Sequence, residues 1–152
     1  MSEKSIARNK KAFYEYSFME KVEAGIQLMG TEVKSLKTKG GSIHESFAKF
    51  NKNGELFVYQ MNIPHYSFGN RLNHDPDRPR KLLMHKRELI KFQLLQEQQG
   101  CVIVPLNVYV KRGIIKVEIG VGKGKRLFDK RETLKKRETD RDIERSLKKY
   151  RS

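Results

Sequence analysis

The chain has one cysteine, no tryptophan and only four prolines in 152 residues. A lone Cys101 cannot close an internal disulfide, so no staple holds this fold. The run around it, CVIVPLNVYV (101–110), reads as a buried core segment in a reducing compartment. It is the most apolar stretch, and it is too short for a bilayer, which takes about 20 apolar residues. The first residues, MSEKSIARNKK, hold no apolar core of a signal peptide. His44, His65, His74 and His85 form no HExxH pattern, and one Cys makes no zinc ribbon, so no metal or cofactor is expected. No internal repeat is visible.

Positive charge is abundant. The chain carries 33 Lys and Arg against 18 Asp and Glu, a formal net charge of +15. A charge of that size draws polyanions across a Debye length of about 8–10 Å. The clusters RNKK (8–11), KSLKTK (34–39), RPRK (78–81), HKR (85–87), KR (111–112) and KGKR (123–126) recur near turns and helix starts. Such a footprint points to nucleic acid. Without a long or broadly amphipathic apolar helix, a membrane is not expected, and the protein reads as soluble and cytoplasmic.

Residues 12–121 hold seven of the eight Phe, and a body of ~110 residues can bury a core unaided. Residues 1–11 read as mobile. Alternation in AFYEYSFMEKVEAGIQL (12–28) predicts strands with a bend or bulge at Gly25. A short helix is expected over 30–41, with Thr31 as its cap and Glu32, Lys34 and Lys37 facing solvent. SFAKFNKNGELFVYQMNI (46–63) reads as a hairpin around Asn53-Gly54. PHYSFGNRLNHDPDRPRK (64–81) reads as a long loop in which Tyr66 and Phe68 could stack on bases. HKRELIKFQLLQEQQG (85–100) is helical through Leu89, Phe92 and Leu95. A last hairpin turns near Arg112-Gly113. Short strands joined by tight turns, with helices inserted, predict a mainly β fold: a small OB-like β-barrel with flanking helices.

Three chemical sites compete with this reading. NHDPD (73–77) sets His74 beside two acids, but a turn built by Asn, Asp and Pro explains it as well. Cys101 lacks a polar neighbour to activate it. GVGKGK (120–125) lacks the GxxxxGK[ST] phosphate loop. The rival to a binding protein is therefore a nuclease using His74 and Asp75. Within binding proteins the rival is a ribosomal or ribosome-assembly protein.

The tail, 123–152, carries 13 Lys and Arg against 6 Asp and Glu. Ile143, Leu147 and Tyr150 form one sparse helical stripe, and Glu144 with Lys148 adds an i,i+4 pair. A lone helix of this kind is marginal in water. Disorder in the free protein and a helix on a partner are expected.

EAGIQLMGTEVKSLKTKGGSIHESFAKF, GNRLNHDPDRPRKLLMHKREL, VPLNVYVKRGIIKVEIGVGKGK and DKRE closely resemble the SsrA-binding protein (SmpB) family. The resemblance runs from about Asn9 to the end. It implies a non-enzymatic, OB-like adaptor that binds the tRNA-like domain of tmRNA. With elongation factor Tu and GTP, that adaptor delivers tmRNA to stalled ribosomes, where the nascent chain is tagged. It implies a tmRNA-binding body, 1–122, that is monomeric when free, and a tail, 123–152, that enters the decoding centre and message channel against small-subunit rRNA. By similarity the tmRNA face comprises Asn9, Glu23, Glu32, Lys34, Arg71, Asn73, Arg78, Arg80 and Lys81. Gly122, Lys123, Gly124, Lys125, Phe128, Asp129, Lys130 and Arg131 resemble the family's tail motif. Phe128 stands where the family often has His or Tyr; it can stack on a base but cannot donate a hydrogen bond.

Overall fold

The computed structural model describes residues 3–67, 73–98, 100–125, 143 and 145–147. The elements in chain order are β1 (Glu3–Arg8), α1 (Lys10–Glu15), β2 (Tyr16–Ile26), α2 (Gly30–Thr38), β3 (Phe47–Phe50), β4 (Leu56–Tyr59), β5 (Arg80–Leu83), α3 (Lys86–Gln96), β6 (Cys101–Lys111) and β7 (Ile114–Gly124). Every described strand pairing is antiparallel. The order β6-β3-β4-β5-β2-β7 returns to β6 through the β6–β7 pairing, so six strands form a ring. β1 lies beside β6, pairing Glu3–Arg8 against Asn107–Lys111.

The longest pairings follow the clearest sequence pattern. In β7, Ile115, Val117, Ile119 and Val121 alternate with polar or small residues and point into the core. Arg112 and Gly113 both have positive φ and close a two-residue turn between Lys111 and Ile114. β6 has a proline in mid-strand. Pro105 cannot donate to a neighbour, and the register shifts between Pro105 and Asn107. That bulge reverses which side chains face inward. Ile103 and Val108, of opposite parity, both join the main core, while Val104 and Leu106 face a second, smaller cluster.

α1 covers this second cluster through Ala12, with Phe13, Tyr16, Phe18 and Phe47 around it. A β2 bulge between Phe18 and Glu20 opposes the glycines of β7. A Cβ at Gly122 would lie 2.4 Å from the Ser17 carbonyl oxygen, and one at Gly120 would lie 2.9 Å from the Phe18 ring. These glycines let β2 and its aromatic side chain approach. The main core fills the ring with Leu56, Val58, Leu82, Ile103 and the β7 residues, closed by Leu36 of α2 and Phe92 and Leu95 of α3.

Several expectations need correction. Most of the polar N-terminus is strand β1, because the unpaired edge of β6 offers a ladder that weak local alternation does not advertise. The strand expected from residue 12 begins at Tyr16. Asn9 starts a helical turn first, its Oδ1 accepting from the Ala12 N–H at 3.1 Å. Gly25 carries no bulge; it sits where β2 passes from β7 to β5, paired with both Lys116 and Leu83. The hairpin after β3 turns more widely than Asn53-Gly54 alone: Asn51 Oδ1 accepts from the N–H groups of Asn53 and Glu55. Thr31 is inside α2, not its cap, and Glu32 is fully buried. β7 continues through Gly124, two residues past the expected end of the body.

The tail departs from the expected disorder where it is described. Ile143 and Arg145–Leu147 are helical, and Ile143 is 2% exposed within the main cluster. An apolar surface to bury against supplies what a lone helix lacks.

Candidate nucleic-acid interface

Glu32 is the node of the site. It is the third residue of α2, and its Oε1 accepts from the Met29 N–H at 2.7 Å, closing the helix start. The same oxygen takes Arg78 Nη2 at 2.5 Å, and Oε2 takes Arg78 Nε at 3.1 Å. Oε2 also accepts from Arg80 Nε. Arg80 Nη1 donates to the Met61 carbonyl at 2.5 Å, and Nη2 to the carbonyls of Pro76 (3.1 Å) and Asp75 (3.3 Å). One carboxylate thus joins α2, β5 and the segment that precedes β5.

Burial raises the Glu32 pKa, but the bonds from Arg78, the Met29 amide and Arg80 outweigh it. The carboxyl is held below its ordinary value.

The loop before β5 is tied at both ends. Asn73 Nδ2 donates to the Tyr66 carbonyl at 2.6 Å, and its Oδ1 accepts from the Tyr66 N–H at 3.1 Å. Asp75 Oδ1 accepts from the Asp77 N–H, and Asn62 Nδ2 donates to Asp77. His74 is buried, with Nε2 2.8 Å from the Ile63 carbonyl and Nδ1 3.0 Å from Thr31 Oγ1. A carbonyl only accepts, so Nε2 carries a proton and donates to Ile63. Both nitrogens are engaged and neither is placed to act as a general base. Among the described residues no cluster of His, Cys, Asp or Glu could hold a metal.

The structure brings some of the expected residues together. Glu32, Arg78 and Arg80 form one network, and Asn73 shapes the adjoining loop. Lys34, exposed on α2, holds its Nζ 5.7 Å from the centre of the Tyr66 ring. Arg78 keeps a partly exposed side chain, whereas Arg80 is fully buried.

Others stand apart from that network. Asn9 is buried beneath α1, and its Nδ2 donates to the carbonyls of Ile43 and Pro105. Lys81 Nζ pairs with Glu55 at 2.7 Å. Glu23, on β2, accepts from the Tyr109 hydroxyl and lies 3.4 Å from Lys111 Nζ. The Tyr109 bond chiefly lowers the Glu23 pKa, against a smaller opposing effect of burial. Gly122, Lys123 and Gly124 belong to β7, where Lys123 is buried. Lys125 follows that strand. Arg71, Phe68, Phe128, Asp129, Lys130 and Arg131 lie outside the described residues.

Sequence reasoning missed Thr31 as the partner of His74 and Tyr109 as the partner of Glu23. Both pairs are distant in sequence, and no local spacing signals them.

The whole chain fits a known pattern. A family model described as SmpB protein matches residues 6–149. The chain belongs to the SmpB family. It is 52% identical over 148 residues to the SsrA-binding protein of Geotalea uraniireducens (strain Rf4), covering 97% of each chain. It is 50% identical over 149 residues to that of Thermosipho africanus (strain TCF52B), covering 97% of this chain and 99% of the relative. A solved structure described as "tmRNA-SmpB: a journey to the center of the bacterial ribosome" contains a similar chain. The TM-score is 0.66 at 43% identity, over 81% of this chain and 86% of that one. Among the described residues no helix is long and apolar enough to cross a membrane.

Proposed function

We propose that this chain is a tmRNA-binding factor of trans-translation, an adaptor between tmRNA and stalled ribosomes. The observation that carries this is near full-length identity of about half to SsrA-binding proteins, joined to a basic loop built on Glu32. The ring of strands reads as an OB-like barrel with flanking helices. The body runs through Lys125, and the tail follows.

Within the proposed tmRNA face the residues divide by exposure. Lys34, beside the half-buried Tyr66, and the partly exposed Arg78 supply positive charge at the surface. Glu32, Arg80, Asn73 and His74 shape the loop from which they act. Glu23 is a second contact, on β2, where its carboxylate accepts bonds from RNA hydroxyls or amino groups as well as from Tyr109. Arg71 and Lys81 extend the charge, and Asn9 supports α1. Gly122, Lys123 and Gly124 of the family's tail motif stay in β7, so the contact with the decoding site falls to Phe128–Arg131, and elongation factor Tu with GTP acts through the aminoacylated tmRNA. The protein works in the cytoplasm and catalyses no reaction. The two engaged nitrogens of His74 support the non-enzymatic reading over the nuclease one.

The test is the RNA that co-purifies with the full chain from its own cells. Enrichment of tmRNA over tRNA and rRNA is expected. Recovery of rRNA alone would favour the ribosome-assembly reading. RNA cleavage abolished by His74→Ala would replace the adaptor with an enzyme.

A further inference from the structure

Ile143 lies well beyond the end of β7, yet it is 2% exposed and belongs to the main hydrophobic cluster. Leu147, one helical turn on, packs partly against the same cluster. Arg145, between them, is exposed. Residues i and i+4 share a helix face, so Ile143 and Leu147 meet the body while Arg145 faces water. The tail and the whole chain are both strongly basic, so like charges oppose the docking. Burial of Ile143 and packing of Leu147 work against that repulsion.

We infer that the body carries a seat for its own tail. The segment bearing Ile143 and Leu147 docks as a helix against the main core when the protein is free. The occupant is this chain's own C-terminal segment, because Ile143 already lies buried in the cluster and Leu147 packs against it. The seat stands on the packing alone; its consequence rests on the adaptor reading. A docked tail is withheld from any other site, and its apparent affinity there falls by the undocked fraction. Entry of the tail into an RNA channel then begins with release from the body. Salt separates the two engagements. It screens like-charge repulsion and so favours the seat, while it weakens every phosphate contact.

The test uses the full chain with isoleucine δ1 methyls labelled for NMR. Contacts between the Ile143 methyl and methyls of the core cluster are expected, and they should strengthen between low and physiological salt. Ile143→Ser should lower the Tm by roughly 5–10 °C, as loss of a core side chain does in a chain of this length. Ile143→Val should lower it by much less. A random-coil Ile143 methyl without such contacts, or an Ile143→Ser Tm equal to the parent, overturns the seat. Contacts found only between differently labelled molecules also overturn it, replacing it with docking between copies. Binding to tmRNA is measured on the same samples. Its absence in the parent chain would count against the adaptor reading and leave the seat standing.

Discussion

Glu32 is fully buried and carries two guanidinium groups on one carboxylate. Its value comes from position more than from charge at the surface. Removing the carboxylate leaves Arg80 buried with an unanswered charge, a change that costs about 3–5 kcal/mol in comparable pairs. Glu32→Gln should therefore lower the Tm clearly and weaken tmRNA binding, although Glu32 is sealed from solvent. The pH dependence has a fixed sign. The folded pKa is depressed, so the stabilisation is full above the ordinary carboxylate value of about 4.3 and is lost as pH falls through the folded value. Acid unfolding of the parent and of Glu32→Gln should thus converge as pH drops below that value. A constant gap down to pH 2 would show that Glu32 does not carry the charge. Gly122 is constrained by space. The 2.4 Å approach to the Ser17 carbonyl predicts that Gly122→Ala loses about 1–3 kcal/mol by overpacking, read in urea unfolding. This residue, expected in the tail motif, is held by the β-sheet.

At the scale of elements, the proposed site separates a shaping residue of the loop before β5, His74, from a contact residue of α2, Lys34. His74→Ala removes two buried hydrogen bonds and no formal charge from the surface. It should weaken tmRNA binding without changing the salt slope. Lys34→Ala should leave the Tm nearly unchanged and reduce that slope by about 0.7, the value for one single-strand phosphate contact. A reduced slope for His74→Ala, or an unreduced one for Lys34→Ala, would reverse the two assignments.

The same loop shows what local pattern can reveal. Its Pro and Asx residues announce a turn, and Asp75–Arg78 forms one. The Arg112-Gly113 hairpin and the Leu89, Phe92 and Leu95 stripe were legible for the same reason: turn chemistry and periodicity act over a few residues. The Glu32–Arg80 pair spans 48 positions, and Glu23–Tyr109 spans 86, so neither leaves a local trace. β1 was illegible because the edge of β6 selects it. Asn9, assigned by similarity to the tmRNA face, is buried because a helix start needed its side chain.

At the scale of the whole molecule, the proposed division gives tmRNA to the body and the decoding site to the tail. A chain ended after Lys125 should bind tmRNA within about twofold of the full chain, a difference below 0.5 kcal/mol. It should also fail to support tagging on ribosomes stalled at a message end. Tagging by the shortened chain would refute the division. The family's likeness spans both parts, which is why motif order revealed the function more fully than charge alone. The most direct measurement is equilibrium binding of the full chain to the tRNA-like domain of its own tmRNA, against a tRNA of similar length, across a salt series. The account predicts clear preference for the tRNA-like domain at physiological salt, and a shallower slope for Lys34→Ala. Equal affinity for both RNAs, with parallel slopes for parent and variant, would contradict it.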